Sequence, residues 1–347
     1  MEVECVLLAE PRGFCAGVEM AIKALAWMVR IFEPPVYCYH EIVHNRLIVD
    51  RFRDLGVVFV DNLDDVPAGS PLMLSAHGSA PSVVAAAQAK GGFVVNAVCP
   101  LVTKVHHEAK VRAGKGFQII YVGHAGHDEA VGTMAVAPDA MHLVETVEGV
   151  ESLLIDDAPV ALLAQTTLSH FDWADVLEAA SAKFPLMWRP GRSDLCYATT
   201  NRQSALKSIA DRADAIVVIG SANSSNTVAL EKVARASGCR NVYLVNSADE
   251  LPNNLSGIVG VTAGASAPED LVQEVVRRLA PRRGVETLRV TDEDEYFPLP
   301  RELREAAPAI AAAAAFALGA PPPTDSVLQA DRTTAASDVL RELHIHR

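Results

Sequence analysis

Short apolar runs punctuate the chain, most of them four to six residues rich in Val, Ile and Leu, among them residues 6–9 (VLLA), 57–60 (VVFV) and 72–74 (LML). Runs of this length and composition suit strands buried on both faces. Between them, residues 21–30, 83–89, 172–183, 227–236 and 269–279 carry apolar positions at helical spacing. Three of these segments open on a helix-start signal: Ala-Pro-Ser at 80–82, Ser-His-Phe-Asp at 169–172 and Ala-Pro-Glu-Asp at 267–270. Strands alternating with helices predict an α/β fold with mostly parallel sheets. The functional loops of such sheets lie beyond the carboxyl ends of the strands.

The pattern repeats three times. Each repeat opens on a strand and a loop with a cysteine, at Cys15, Cys99 and Cys196; the strand before Cys196 is the least clear. A polar loop follows 28 or 29 positions later, centred on His44, His127 and Ser224. A strand with an acidic turn comes next (VVFVDNLDDVP, MHLVETVEGV, VYLVNSADELP), then a strand running into a small polar loop at His77, Thr166 and Ser266. Four matched units in one order predict three α/β repeats, at 1–98, 99–195 and 196–285, related by a pseudo-threefold axis around one central cavity. A C-terminal arm at 286–304 follows, and the Ala- and Pro-rich segment 305–347 reads as a mobile extension.

Composition narrows the class. The 347 residues are 50% apolar, enough to bury a sizeable core, and carry a net charge of −13. That charge disfavours nucleic acid and anionic membranes as partners, while leaving room for one small anion in a local pocket. No run approaches a membrane span, and the acidic start does not resemble a signal peptide. Six cysteines in a chain of this length suit a reducing cytoplasm rather than a disulfide scaffold.

Three thiols, one per repeat, would form a tripod on the shared axis. Structural zinc usually takes four protein ligands, often from close cysteine pairs, and no CxxC pair occurs here. An iron–sulfur cube normally has four cysteines, so a tripod better fits a catalytic 4Fe–4S cluster with one open iron. Spacing alone does not choose between the metals. Cys5, Cys38 and Cys239 read as packed thiols, and His40, His106, His107, His124 and His142 as structural. Around the tripod, His44, His77 and His127 join Thr166, Thr167, Ser224, Ser225, Asn226 and Ser266 in turns that open helices. Such donors, with helix N-terminal N–H groups, make a cradle for phosphate or diphosphate. Glu129 suits a helix N-terminus by charge. In a water-poor cavity its pKa would rise and fit it as a general acid.

The motifs PRGFCAGV (11–18), HEIVHNR (40–46), SAHGSA (75–80), CPLVTKVH (99–106), GHAGHDE (123–129), AQTTLS (164–169), CYATTNRQ (196–203), GSANSSN (220–226) and TAGASAPEDLV (262–272) resemble the signatures of 4-hydroxy-3-methylbut-2-enyl diphosphate reductases. The resemblance runs from about residue 5 to FPLPRELR at 297–304. It implies an oxidoreductase for the last step of the methylerythritol phosphate route to isoprenoids, giving isopentenyl and dimethylallyl diphosphates. It implies a 4Fe–4S cluster on Cys15, Cys99 and Cys196, and a diphosphate held by His44, His77, His127, Ser224, Ser225, Asn226 and Ser266. It also implies a proton relay through Glu129 and Thr166, which touches the substrate as well, and a ferredoxin or flavodoxin as electron donor. Glu10, Asn96, Val98 and Val131 depart from the family pattern without removing a ligand. Two other readings compete: a three-domain iron–sulfur lyase of the quinolinate synthase type, and a non-enzymatic iron–sulfur sensor.

Overall fold

The computed structural model describes residues 1–155, 157–319, 321 and 327–345. From the N-terminus it runs through β1 (Glu2–Glu10), α1 (Ala16–Ile31), β2 (Val36–Tyr39), α2 (Arg46–Asp54), β3 (Val57–Val60), β4 (Leu72–Leu74), α3 (Pro81–Ala89) and β5 (Val94–Asn96). There follow α4 (Pro100–Ala113), β6 (Gln118–Val122), α5 (Asp128–Met134), β7 (Met141–Val144), α6 (Val147–Ser152), β8 (Val160–Ala164) and α7 (His170–Lys183). The next stretch has α8 (Tyr197–Ala210), β9 (Ala215–Ile219), α9 (Ser225–Ala236), β10 (Val242–Val245), β11 (Ser256–Ala263), α10 (Glu269–Leu279) and β12 (Val285–Arg289). Three helices end the chain: α11 (Arg301–Ala317), α12 (Val327–Thr333) and α13 (Ala336–Ile345).

The strands form three sheets, ordered β10-β9-β11-β1-β12, β3-β2-β4-β5 and β7-β6-β8, and every pairing is parallel. The threefold plan is visible in the strand orders. Within each sheet the second, first and third strands of one repeat lie side by side (β3-β2-β4, β7-β6-β8, β10-β9-β11), and the strand leading to the next cysteine adds beyond the third. Thus β5, which leads to Cys99, pairs with β4. The segment leading to Cys196 adds to β8 only through a bridge between Ala161 and Trp188, which is why its strand is faint in the sequence.

The strand leading to Cys15, β1, pairs with β11 and β12 from the far end of the chain. Of the segment 1–98 read as the first repeat, β1 thus lies in the sheet of β9 to β11. Its apolar run explains the choice, since Val6, Leu7, Leu8 and Ala9 are all buried and need cover on both faces. The boundary between 285 and 286 also falls inside β12.

The chain separates into two compact units. The first comprises Met1–Cys15, His44–Arg46 and Leu101–Glu293, and holds the β1 and β6 sheets. One of its cores packs Leu7, Leu206, Ile209, Ile216, Val218, Leu230 and Val233. The second comprises Ala16–Val43, Leu47–Pro100 and Asp294–Arg347, with Val60, Leu63, Leu72, Leu74 and Ala87 in its core.

The segment expected to be mobile is helical in its described part, with residues 320, 322–326 and 346–347 outside the described residues. Ala336, Val339, Leu340 and Leu343 recur at helical spacing and are buried, and α13 packs on α1. Buried Lys23 of α1 donates to the carbonyls of Asp331 (2.8 Å) and Thr334 (3.2 Å), and Glu19 accepts the Ala336 N–H at 2.6 Å. Among the described residues, no helix is long and apolar enough to cross a membrane.

Candidate active site

The first unit holds ten of the expected site residues and joins eight of them in one circuit of contacts. Glu129 is a convenient start. It lies in the first turn of α5 and is buried, with Oε1 accepting the Thr166 N–H at 2.7 Å and Oε2 accepting the Thr166 hydroxyl at 2.9 Å. Burial pushes its carboxyl up to about 7; the two Thr166 bonds oppose that shift and nearby Asp194 adds to it.

From Thr166 the circuit passes to the thiols. The Thr199 hydroxyl donates to the Thr166 carbonyl at 3.1 Å and lies 3.0 Å from Cys196 Sγ, which also accepts the Thr199 N–H at 3.2 Å as the N-cap of α8. Burial, and then the neighbouring Cys15, push the Cys196 thiol up to about 11. Asn226 links this corner onward, with Nδ2 donating to Thr199 Oγ1 (3.3 Å) and Oδ1 accepting the Ala265 N–H (2.9 Å). The Ala265 carbonyl in turn accepts the Cys15 N–H at 3.2 Å.

Ser266 closes the circuit. Its hydroxyl donates to the His44 carbonyl at 2.9 Å, and the His44 ring stands edge-on to His127 with centroids 5.1 Å apart. His127 caps α5, its Nδ1 accepting the Glu129 N–H at 3.2 Å. Neutral His127 therefore carries its proton on Nε2, a donor for an anion. Burial, and then His44, push its pKa down to about 4.

Ser224 is the buried N-cap of α9, its oxygen accepting the Thr227 N–H at 3.4 Å, so the hydroxyl proton remains to give. Ser225 accepts from Gln165 Nε2 at 3.2 Å. Two helix N-termini, α5 and α9, thus open on the same network as the hydroxyls and imidazoles.

Cys99 and His77 belong to the second unit. They follow β5 and β4, and the Cys99 N–H donates to the Ala76 carbonyl at 3.0 Å, which sets the two loops side by side. Asn96 accepts the Val98 N–H at 3.2 Å in a turn ahead of Cys99, so this departure from the family pattern has a local use. Val131 is exposed. No cysteine is in a disulfide.

Sequence reasoning passed over four residues. Gln165 is fully buried, accepting the His124 N–H (2.9 Å) and donating to Thr167 (2.9 Å) and Ser225. Thr199 ties Cys196 to Thr166. Asp194 accepts from Lys104 and from the Ala164 N–H, both at 3.2 Å. Arg202 is buried on α8. For Arg202 a signal existed: it shares the stripe of Ala205, Leu206 and Ile209, an apolar face where a guanidinium is out of place.

Parallel strands whose carboxyl ends present thiols, a buried acid and a set of hydroxyl and imidazole donors mark the chain as an α/β enzyme. The chain belongs to the LytB protein family, whose sequence profile matches residues 6–280. It is 50% identical over 306 residues to the 4-hydroxy-3-methylbut-2-enyl diphosphate reductase of Phenylobacterium zucineum, covering 86% of this chain and 97% of that one. To the reductase of Beijerinckia indica subsp. indica it is 47% identical over 311 residues, covering 87% and 97%. Among solved structures, the E-1-hydroxy-2-methyl-but-2-enyl-4-diphosphate reductase of Plasmodium falciparum superposes with a TM-score of 0.85 at 32% identity, over 88% of this chain and 98% of that one. These relatives support the reductase reading and lend nothing to the lyase or the sensor.

Proposed function

We propose that the chain reduces (E)-4-hydroxy-3-methylbut-2-enyl diphosphate to isopentenyl and dimethylallyl diphosphates. Two electrons and two protons enter, the allylic C–O bond breaks, one proton leaves with the hydroxyl as water and the other ends on carbon. The observation that carries the reading is the Glu129–Thr166 pair, a buried carboxyl bonded to the residue whose carbonyl accepts the Cys196 N–H at 3.0 Å.

The donor set fits an iron–sulfur cluster. Cys15 and Cys196 are neighbouring thiols, soft ligands of the kind such clusters take, and an N–H already points at one sulfur. Cys99, at the matching place of its own repeat, is the third ligand we assign. When bound, the cluster supplies the electrons and an open iron that polarises the C–O bond.

The protein's own groups do the rest. His127 Nε2–H, the Ser224 and Ser225 hydroxyls, His44, His77, Asn226 and Ser266 hold the diphosphate, and fixing that end orients the hydroxyl-bearing carbon. Asn226 spends its carbonyl and one N–H on Ala265 and Thr199, so its share is its remaining N–H and the placing of those loops. Glu129, near half protonation at pH 7, gives its proton to the leaving hydroxyl. Thr166 holds that carboxyl in place and relays the proton. The electrons come from a small donor protein of the ferredoxin or flavodoxin type, in a reducing cytoplasm.

Protein prepared without oxygen should contain close to four irons and four sulfides per chain and convert the substrate only with a reduced donor present. Substrate turnover without electron consumption would refute the reductase reading.

A further inference from the structure

Among the described residues, Arg202 is the largest fully buried side chain, at 0% exposure, and the mechanism leaves it without a task. It stands six residues after Cys196 on α8. Its Nε donates to the Gly13 carbonyl at 3.0 Å and its Nη2 to the Phe14 carbonyl at 3.1 Å, the two residues ahead of Cys15. Its Nη1 donates to the Ala198 carbonyl at 3.0 Å, close behind Cys196. The same nitrogen meets both oxygens of Glu293, at 3.0 and 3.1 Å, and Asn201 donates to that carboxylate at 3.0 Å.

The amides of the Cys15 loop are held from the other side, Gly13 N–H by Ala263 and Cys15 N–H by Ala265, each at 3.2 Å. Gly13 has φ +68°, and a Cβ there would come within 3.1 Å of the Ala267 carbonyl. The loop is thus pinned by its amides to the end of β11 and by its carbonyls to one guanidinium, and the planar fork of that guanidinium reaches to the helix of the second cysteine.

We infer that Arg202 and Glu293 form a positioning pair for the iron–sulfur cluster, setting the separation of Cys15 and Cys196 and placing a partly balanced positive charge behind them. This rests on the cluster proposed above. The fork fixes the geometry and the charge biases the redox state, because reduction adds negative charge beside the guanidinium. The two effects can be separated. Lysine keeps the charge and loses the fork; glutamine loses the charge; removing the Glu293 carboxylate leaves the guanidinium unbalanced.

The test uses full-length Arg202→Lys, Arg202→Gln and Glu293→Gln, reconstituted without oxygen beside the wild type. Iron loss to a chelator, the electron-resonance spectrum of the reduced cluster, the midpoint potential and the melting of the apoprotein are read. Both Arg202 variants should lose iron about 10- to 100-fold faster. The midpoint potential should fall in Arg202→Gln, rise in Glu293→Gln and stay near wild type in Arg202→Lys. Wild-type iron loss and potential in all three variants would overturn the inference, as would potentials that simply track apoprotein melting. If Arg202→Gln does not fold, the other two decide: faster iron loss at an unchanged potential in Arg202→Lys, and a raised potential in Glu293→Gln. A wild-type protein that takes up no iron would instead refute the cluster itself.

Discussion

Glu129 is a carboxyl whose burial holds it near half protonation at pH 7, which gives it both a chemical and a thermodynamic signature. Glu129→Gln removes the proton and keeps the shape, so turnover should fall about 10²- to 10⁴-fold while iron content and diphosphate affinity hold. In the wild type, turnover should drop roughly tenfold per pH unit above about 7. The same residue ties stability to pH. Its folded pKa lies above the unfolded one, so its contribution is complete below about 4.5 and is lost as pH rises through about 7. The loss is on the order of 3 kcal/mol, and denaturant titrations across that window should show it in the wild type and not in Glu129→Gln. His127 has the opposite shift, held neutral down to about 4 by burial and His44. A bound diphosphate anion would pull that pKa back up, so binding should take up protons increasingly between pH 7 and 5. Calorimetry in buffers of different ionisation heat measures this directly.

At the scale of elements, the candidate site is legible wherever chemistry coincides with a strand end. Cys15, Cys99, the three histidines, Glu129 and the Ser-Ser-Asn turn follow apolar runs, and the threefold repeat makes the matching place of Cys196 visible though its own strand is faint. Gln165 and Thr199 are hard to read because part of their work is hydrogen bonding to segments far apart in sequence, while Arg202 shows only as a guanidinium on an apolar helix stripe. The helices of the C-terminal segment are hard to read from sequence for a related reason. Its alanine run carries no period, while the short stripe of Ala336, Val339, Leu340 and Leu343 acquires meaning only against α1. The anchor there is Lys23, which forms an ion pair with Asp331 at 3.5 Å with both side chains 5% exposed; Tyr296 also donates to that carboxylate at 2.7 Å. Lys23→Met would leave the Asp331 charge buried without its cation, a change that costs about 3–5 kcal/mol. Thermal melting should therefore drop by several degrees, and a chain ending after Gly319 should melt lower than wild type too, since it bares the face of α1 that α13 covers.

For the molecule as a whole, the consequential feature is that the first strand belongs with the last. The sheet β10-β9-β11-β1-β12 is complete only when residues 2–10 meet residues 256–263 and 285–289. Contacts of such sequence separation form late and slowly. They also set the Cys15 loop, which leaves β1 and is bonded at once to Ala263 and Ala265 beyond β11. Placing the first cysteine thus requires the closure of nearly the whole chain. Deleting residues 1–10 would strip β11 of a neighbour, leave β12 unpaired and open the core around Leu7 and Ala9. The second unit builds its sheet from β2 to β5 and its core from residues 60–87, using none of β1. Hydrogen exchange on the truncated chain should therefore show protection collapsing in β9, β10 and β11 while the amides of β2 and β4 keep a measurable share. Uniform loss in both sets would mean that the two cores fold as one cooperative block, and equal retention would mean that β1 is dispensable to its sheet.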